Sequence, residues 1–147
     1  VDAMLNAIAC VTEEKCQEYN IQININLAIK EREIFDKLNI EKVDLSGLLQ
    51  NLLDNAIEAA MAVEQEKRYV HVESKFQEGR LLLSIKNSKP SGTSSYQQTS
   101  KKDKIKHGRG IRSVRKVAEK YGGELMLKDQ GEHFEAVLLL NGVAKLE

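Results

Sequence analysis

Asn51, Asn55 and Glu58 fall on one stripe of a helical pattern, since positions three and four apart stack on the same face. Asparagine is a poor helix former because its amide competes for backbone hydrogen bonds. Two of them one turn apart, at the border of an apolar arc, offer two amide oxygens that could coordinate a hard cation or orient a polar ligand. The plainer reading is a solvated face that happens to hold amides. Gly108-Arg109-Gly110, placed directly before a second helical pattern, is the next candidate. Glycines let a backbone approach closely, and a helix start has unpaired N–H groups that stabilise an anion. An ordinary Gly-containing turn is the alternative: no apolar strand leads into it and no Gly-Lys-Ser/Thr follows, so it is neither a dinucleotide fingerprint nor a phosphate loop. Lys101, Lys102, Lys104 and Lys106 lie just upstream, opposed only by Asp103. Such a run reads as a solvated loop, but beside an anion site it would attract phosphate. Asn87 ends a strand pattern. Its amide both accepts and donates, which suits the edge of a base such as adenine, although Asn commonly ends strands.

Other constellations fail. His71 and His133 lie in strand patterns and His107 in a loop, with no Cys/His metal spacing and no Ser-His-Asp order. Cys10 and Cys16 are too few and too close for a disulfide framework and read as packing residues; a reducing cytosol fits them best.

The elements that would position these residues follow from hydrophobic period. Residues 1–19 carry a helical stripe through Val1, Met4, Leu5, Ile8, Thr12, Cys16 and Tyr19. Ile21, Ile23, Ile25, Leu27 and Ile29 alternate with polar neighbours, the pattern of a strand with one buried face. Asp44 is a plausible N-cap for a helix whose apolar positions run from Leu45 through Leu48, Leu49, Leu52, Leu53, Ala56 and Ile57 to Ala60 and Met61. Residues 69–76 and 81–87 form a strand pair across Glu78-Gly79. Residues 88–107 show no period, and so long a loop inside a compact domain usually serves as a lid. The helix opened by Gly108-Arg109-Gly110 packs Ile111, Val114, Val117, Ala118 and Tyr121, and Gly122 stops it. Strands at 124–128 and 132–140 flank an Asp129-Gln130-Gly131 turn. This order predicts an α+β two-layer sandwich with a mixed, mainly antiparallel sheet and helices on one face.

Composition agrees. A chain of 147 residues with 41% hydrophobic and 30% charged residues has the profile of one soluble globular domain. Its 22 basic and 22 acidic residues cancel, so no global field points to nucleic acid or an anionic membrane. No apolar run reaches the ~20 residues of a membrane helix.

Asn51-Leu52-Leu53-Asp54-Asn55-Ala56-Ile57-Glu58-Ala59, taken with His107-Gly108-Arg109-Gly110-Ile111-Arg112-Ser113-Val114, resembles the ATP-binding domain of sensor histidine kinases, a branch of the GHKL superfamily. The first wording is especially similar to the quorum-sensing peptide-receptor class of the accessory-gene-regulator type. The resemblance runs from about Ile21 to Leu140. It implies the Bergerat α/β sandwich, with residues 21–147 as the ATP-binding catalytic domain and 1–20 as the tail of a dimerisation helix or a linker. It further implies ATP and Mg²⁺ as cofactors, Asn55 and Asn51 as metal-facing amides, and Asn87 at the adenine. Lys106, His107, Gly108, Arg109, Gly110 and Ile111 would wrap the nucleotide.

Two departures stand out. Most of the superfamily has an Asp where Asn87 stands, and a neutral hydrogen bond (~0.5–1.5 kcal/mol) in place of a charge-assisted one (~1.5–3) weakens adenine binding about tenfold. Glu58 stands where many sensor kinases carry a basic residue, and a carboxylate facing the phosphates would repel them. None of the three histidines has the setting of a phosphoacceptor. The expected reaction is therefore phosphoryl transfer to a His on a dimerisation domain outside this chain, with no catalytic residue inside it and no autophosphorylation. Expected partners are that domain, a response regulator and a second copy in a full-length homodimer; nucleic acid is not among them. The expected setting is the cytoplasmic side of a membrane-anchored sensor. An anti-sigma-factor-type serine kinase and a degenerate, non-catalytic GHKL interaction module are the alternatives.

Overall fold

The computed structural model of the chain describes residues 3–27, 40–77, 80–91 and 101–140. In chain order the elements are α1 (Ala3–Glu18), β1 (Gln22–Asn26), α2 (Lys42–Met61), a 3-10 turn (Gln65–Lys67), β2 (Tyr69–Gln77), β3 (Arg80–Ser88), α3 (Lys101–Lys120), β4 (Glu124–Asp129) and β5 (His133–Leu140). The five strands form one sheet in the order β1-β2-β3-β5-β4. β1 runs parallel to β2, as a strand–helix–strand connection allows, and the other pairings are antiparallel. The α+β sandwich expected from the sequence is the observed architecture.

Period-2 alternation puts one row of each strand against the helices. Val70 and Val72 of β2, Leu81, Leu83 and Ile85 of β3, and Phe134, Ala136, Leu138 and Leu140 of β5 are buried. They meet Leu45, Leu48, Leu49, Leu52, Leu53, Ala56 and Ile57 of α2 in one core, which Val114 and Ala118 of α3 complete. Asn87 continues the inward row of β3, opposite Phe134 on one side and Val70 on the other. The helix α1, which the sequence suggested as a dimerisation tail or linker, buries Leu5, Thr12 and Cys16, and Leu5 and Cys16 belong to the same core. No described helix is long and apolar enough to cross a membrane.

Helix ends explain several boundaries. Asn20, at φ 56, closes α1 in the left-handed region, with the Ile21 N–H donating to the Cys16 carbonyl at 2.7 Å and the Asn20 N–H to the Gln17 carbonyl at 3.3 Å. Gly122, at φ 70, ends α3 in the same way, with Gly123 donating to Ala118 at 2.7 Å. A Cβ at Gly123 would overlap the Leu139 carbonyl oxygen, so this position needs its glycine for close approach.

Three expectations are corrected. Asp44 is not the N-cap of α2: the helix begins at Lys42, Glu41 occupies the cap position without a side-chain cap bond, and Asp44 sits in the first turn. The cap is tertiary. The Glu41 N–H donates to the Tyr121 hydroxyl at 3.1 Å, and that hydroxyl donates to Asp44 Oδ2 at 2.5 Å. Residues 101–107 are not loop but the first turns of α3, so Gly108-Arg109-Gly110 lies inside that helix and does not open it. The Lys-rich run hid this, because lysine is a good helix former but supplies no apolar period. The other expected lid residues at 92–100, the Glu78-Gly79 turn and the outer part of the first strand pattern at 28–29 lie outside the described residues.

Candidate functional site

Leu52, Asn55 and Ala56 of α2, Ile85 and Asn87 of β3, Ile111 of α3, and Phe134 and Ala136 of β5 enclose a cavity of about 20 Å³. That is room for about one water. Two helices and two strands thus converge where the sandwich is polar inside. Asn87 is 3% exposed. Its Nδ2 donates to the Ser88 carbonyl at 2.9 Å, and among the described residues no donor reaches its Oδ1. A buried acceptor left unsatisfied costs about 1–3 kcal/mol, so this oxygen is built to meet a water or a ligand donor in the cavity.

Asn55 reaches the same cavity from α2. Asn51, one turn earlier, faces α3 instead: a Cβ at Gly110 would lie 3.9 Å from Asn51 Cγ. Both asparagines are half-buried. Neither side chain has a hydrogen-bond partner among the described residues. The structure therefore brings Asn55, Asn87 and Ile111 to one cavity and Asn51 to Gly110 beside it. Glu58 is exposed and forms no part of the cavity wall.

Not every expected residue joins. Gly108 is an interior position of α3, where its N–H belongs to the helix ladder and is not free for an anion. The side chains of Lys106, His107 and Arg109 lie outside the described residues. Among the described residues no group of three or more His, Cys, Asp or Glu could hold a metal ion. Hard amide oxygens are the donors present here, and they fit an ion such as Mg²⁺ that keeps most of its ligands from water and phosphate.

Sequence reasoning missed Phe134 and Ala136, because only the β3–β5 register carries them to Asn87. It named Asn87 for its amide but did not use the burial phase of that position. The row Leu81, Leu83, Ile85, Asn87 is inward-facing, and a polar residue on the buried phase of a strand was a readable signal. A larger groove of about 640 Å³ opens behind the strand ends, lined in part by Glu64, Arg68, Ser88, Lys89, Glu132 and His133. Its Arg68 is occupied in holding the Val63 carbonyl at 3.0 Å and the Tyr19 carbonyl at 2.7 Å. The smaller cavity is lined by Asn87, whose Oδ1 has no donor among the described residues.

Residues 40–141 match the family described as GHKL domain, a span that contains the whole cavity. The chain belongs to the GHKL domain family. Solved structures agree on the fold of this GHKL domain. The catalytic domain of histidine kinase ThkA superposes at a TM-score of 0.70 with 18% identity, over 95% of this chain and 92% of that one. Acinetobacter baumannii histidine kinase AdeS gives 0.67 and 16% over 97% and 64% of the two chains. Full-length ShkA, solved in complex with AMPPNP, gives 0.69 and 18% over 97% of this chain and 30% of its own. Among curated proteins none matches this sequence.

Proposed function

We propose that this GHKL domain binds MgATP and is the catalytic domain of a sensor histidine kinase, presenting the γ-phosphate to a His on a separate dimerisation domain. The observation that carries the reading is the cavity lined by both Asn55 and Asn87, the latter with no donor to its Oδ1 among the described residues. Asn87 Oδ1 would accept the exocyclic amine of adenine. Asn55 would ligate Mg²⁺ through its amide oxygen, with Asn51 assisting beside Gly110. The bound ion would supply charge neutralisation on the phosphates, and the protein's own part is positioning, as is usual for phosphoryl transfer. Gly110 leaves the space beside Asn51 free of a side chain. Admission of a purine requires the 20 Å³ cavity to widen. Ile111 is the wall that can withdraw, since it is half-buried and sits one turn above the fully buried Val114.

The same reading takes α1 as the link toward the dimerisation domain. It places the domain in the cytoplasmic part of a membrane-anchored, homodimeric sensor of the peptide-receptor class that passes its phosphoryl group to a response regulator. A second reading, a GHKL scaffold that no longer binds nucleotide, is favoured by the small size of the cavity and the interior position of Gly108. Calorimetric titration separates the two. Saturable MgATP binding with Kd below about 1 mM, weakened at least about tenfold in Asn55→Ala with the fold intact, supports the kinase reading. No heat at millimolar nucleotide supports the scaffold.

A further inference from the structure

Lys89 is a buried cation that the proposed nucleotide chemistry does not use. Its side chain is 1% exposed, and its Nζ lies 3.1 Å from Asp129 Oδ1 at the end of β4. The same ammonium donates to the Pro90 carbonyl at 3.2 Å, and the Lys89 backbone N–H donates to the Glu132 carbonyl at 3.0 Å. Asp129 is itself held, accepting from the Gly131 N–H at 3.1 Å. A buried lysine is tolerable only when paired, so the exit of β3 is clamped to the β4–β5 turn by one ion pair and one backbone bond. One residue upstream, Ser88 is fixed from the other side: its hydroxyl accepts from the Tyr69 N–H at 3.0 Å. The Ser88 carbonyl is the group that holds Asn87 Nδ2. The clamp therefore immobilises the one acceptor that decides which end of the Asn87 amide points into the cavity.

We propose that Lys89, through its ion pair with Asp129, is a positioning residue that keeps the Asn87 amide oxygen toward the cavity and so selects a 6-aminopurine over a 6-oxopurine. The inference rests on the reading of Asn87 as the base-facing residue. With Nδ2 tied back, Asn87 offers the ligand an acceptor only, which matches an exocyclic amine and opposes a 6-keto oxygen. With the ion pair gone, the Lys89 N–H bond to Glu132 alone holds that peptide, so the Ser88 carbonyl can tilt, the amide can flip, and Nδ2 can then donate to the keto oxygen.

The test compares MgATP and MgITP by calorimetry on the 147-residue chain. Variants are Lys89→Met, which keeps an apolar stem in the buried slot while leaving the half-exposed Asp129 to water, together with Asp129→Asn and Asp129→Glu. Far-ultraviolet circular dichroism verifies folding. The wild type is expected to prefer MgATP about tenfold or more, the value of one mismatched buried hydrogen bond. Lys89→Met and Asp129→Asn should bring the two nucleotides within about threefold of each other, while Asp129→Glu, which retains the pair, should keep the preference. If Lys89→Met does not fold, Asp129→Asn with its Glu control decides. Equal weakening of both nucleotides, or an unchanged ratio, overturns the positioning role while the wild-type preference leaves Asn87 as the base reader. A wild type that binds MgATP but does not discriminate overturns both the clamp and the role of Asn87, and a wild type that binds neither nucleotide overturns the proposed function with them.

Discussion

Asn87 turns on hydrogen-bond arithmetic. An Asp at this position would offer adenine a charge-assisted bond about 1 kcal/mol stronger, which suggests that Asn87→Asp should tighten binding. The structure reverses that expectation. The amide nitrogen holds the Ser88 carbonyl at 2.9 Å, and a carboxylate would set oxygen against oxygen at a site 3% exposed. Loss of that bond and burial of a repelled acceptor cost about 1–3 kcal/mol. Asn87→Asp should therefore lower the thermal midpoint by several degrees, measurable by calorimetry, with no gain in MgATP affinity. The two thiols make a second residue-scale contrast. Cys16 is buried, and burial first, with the nearby Glu13 charge second, pushes its thiol up to about 11, whereas Cys10 is exposed. At pH 8 the native protein should react with one equivalent of an aromatic disulfide reagent and the denatured protein with two.

The start of α2 is finished by a neighbouring helix. The N-terminus of α2 is capped by Tyr121, beyond the end of α3, and Asp44 binds both the Tyr121 hydroxyl and Lys120 Nζ, the latter at 3.0 Å. The Tyr121 hydrogen bond first, and that of Lys120 second, hold the Asp44 carboxyl below its ordinary value of 3.8. A carboxyl whose pKa is lower in the folded than in the unfolded chain stabilises fully above the unfolded value, about 3.9, and loses that contribution as pH falls through the folded value. Tyr121→Phe should cost about 1 kcal/mol at neutral pH. In urea unfolding series, its deficit relative to the wild type should shrink below about pH 4. For α3, Gly110→Ala should raise helix stability by up to about 1 kcal/mol, since a Cβ there makes only ordinary contact with Asn51. MgATP affinity should nevertheless fall, because that Cβ fills the approach to the amide. A Gly110→Ala variant that is more stable and binds equally well would remove Gly110 from the site.

At the scale of the whole molecule, the legible part was whatever repeats along the chain. The apolar rows of α2 and the period of β2 and β3 predicted those elements to within about two residues, because burial of one face is a local property of spacing. Asn51 and Asn55 were legible for the same reason: polar amides at the edge of an apolar arc are anomalous within a single helix. What stayed hidden depends on partners far along the chain. The start of α2 is decided by Tyr121, 80 residues from Glu41, and the first turns of α3 have no apolar face to announce them. Phe134 becomes a wall of the cavity only through its register with Asn87. Nothing local to Lys89 announces that folding buries it against Asp129. Local pattern set the elements and named the amides, since helix and strand periods are written in neighbouring residues. Assembly of the sheet, and the choice of which amide oxygen has no donor among the described residues, came only from contacts between distant segments, whose energies no stretch of sequence contains alone.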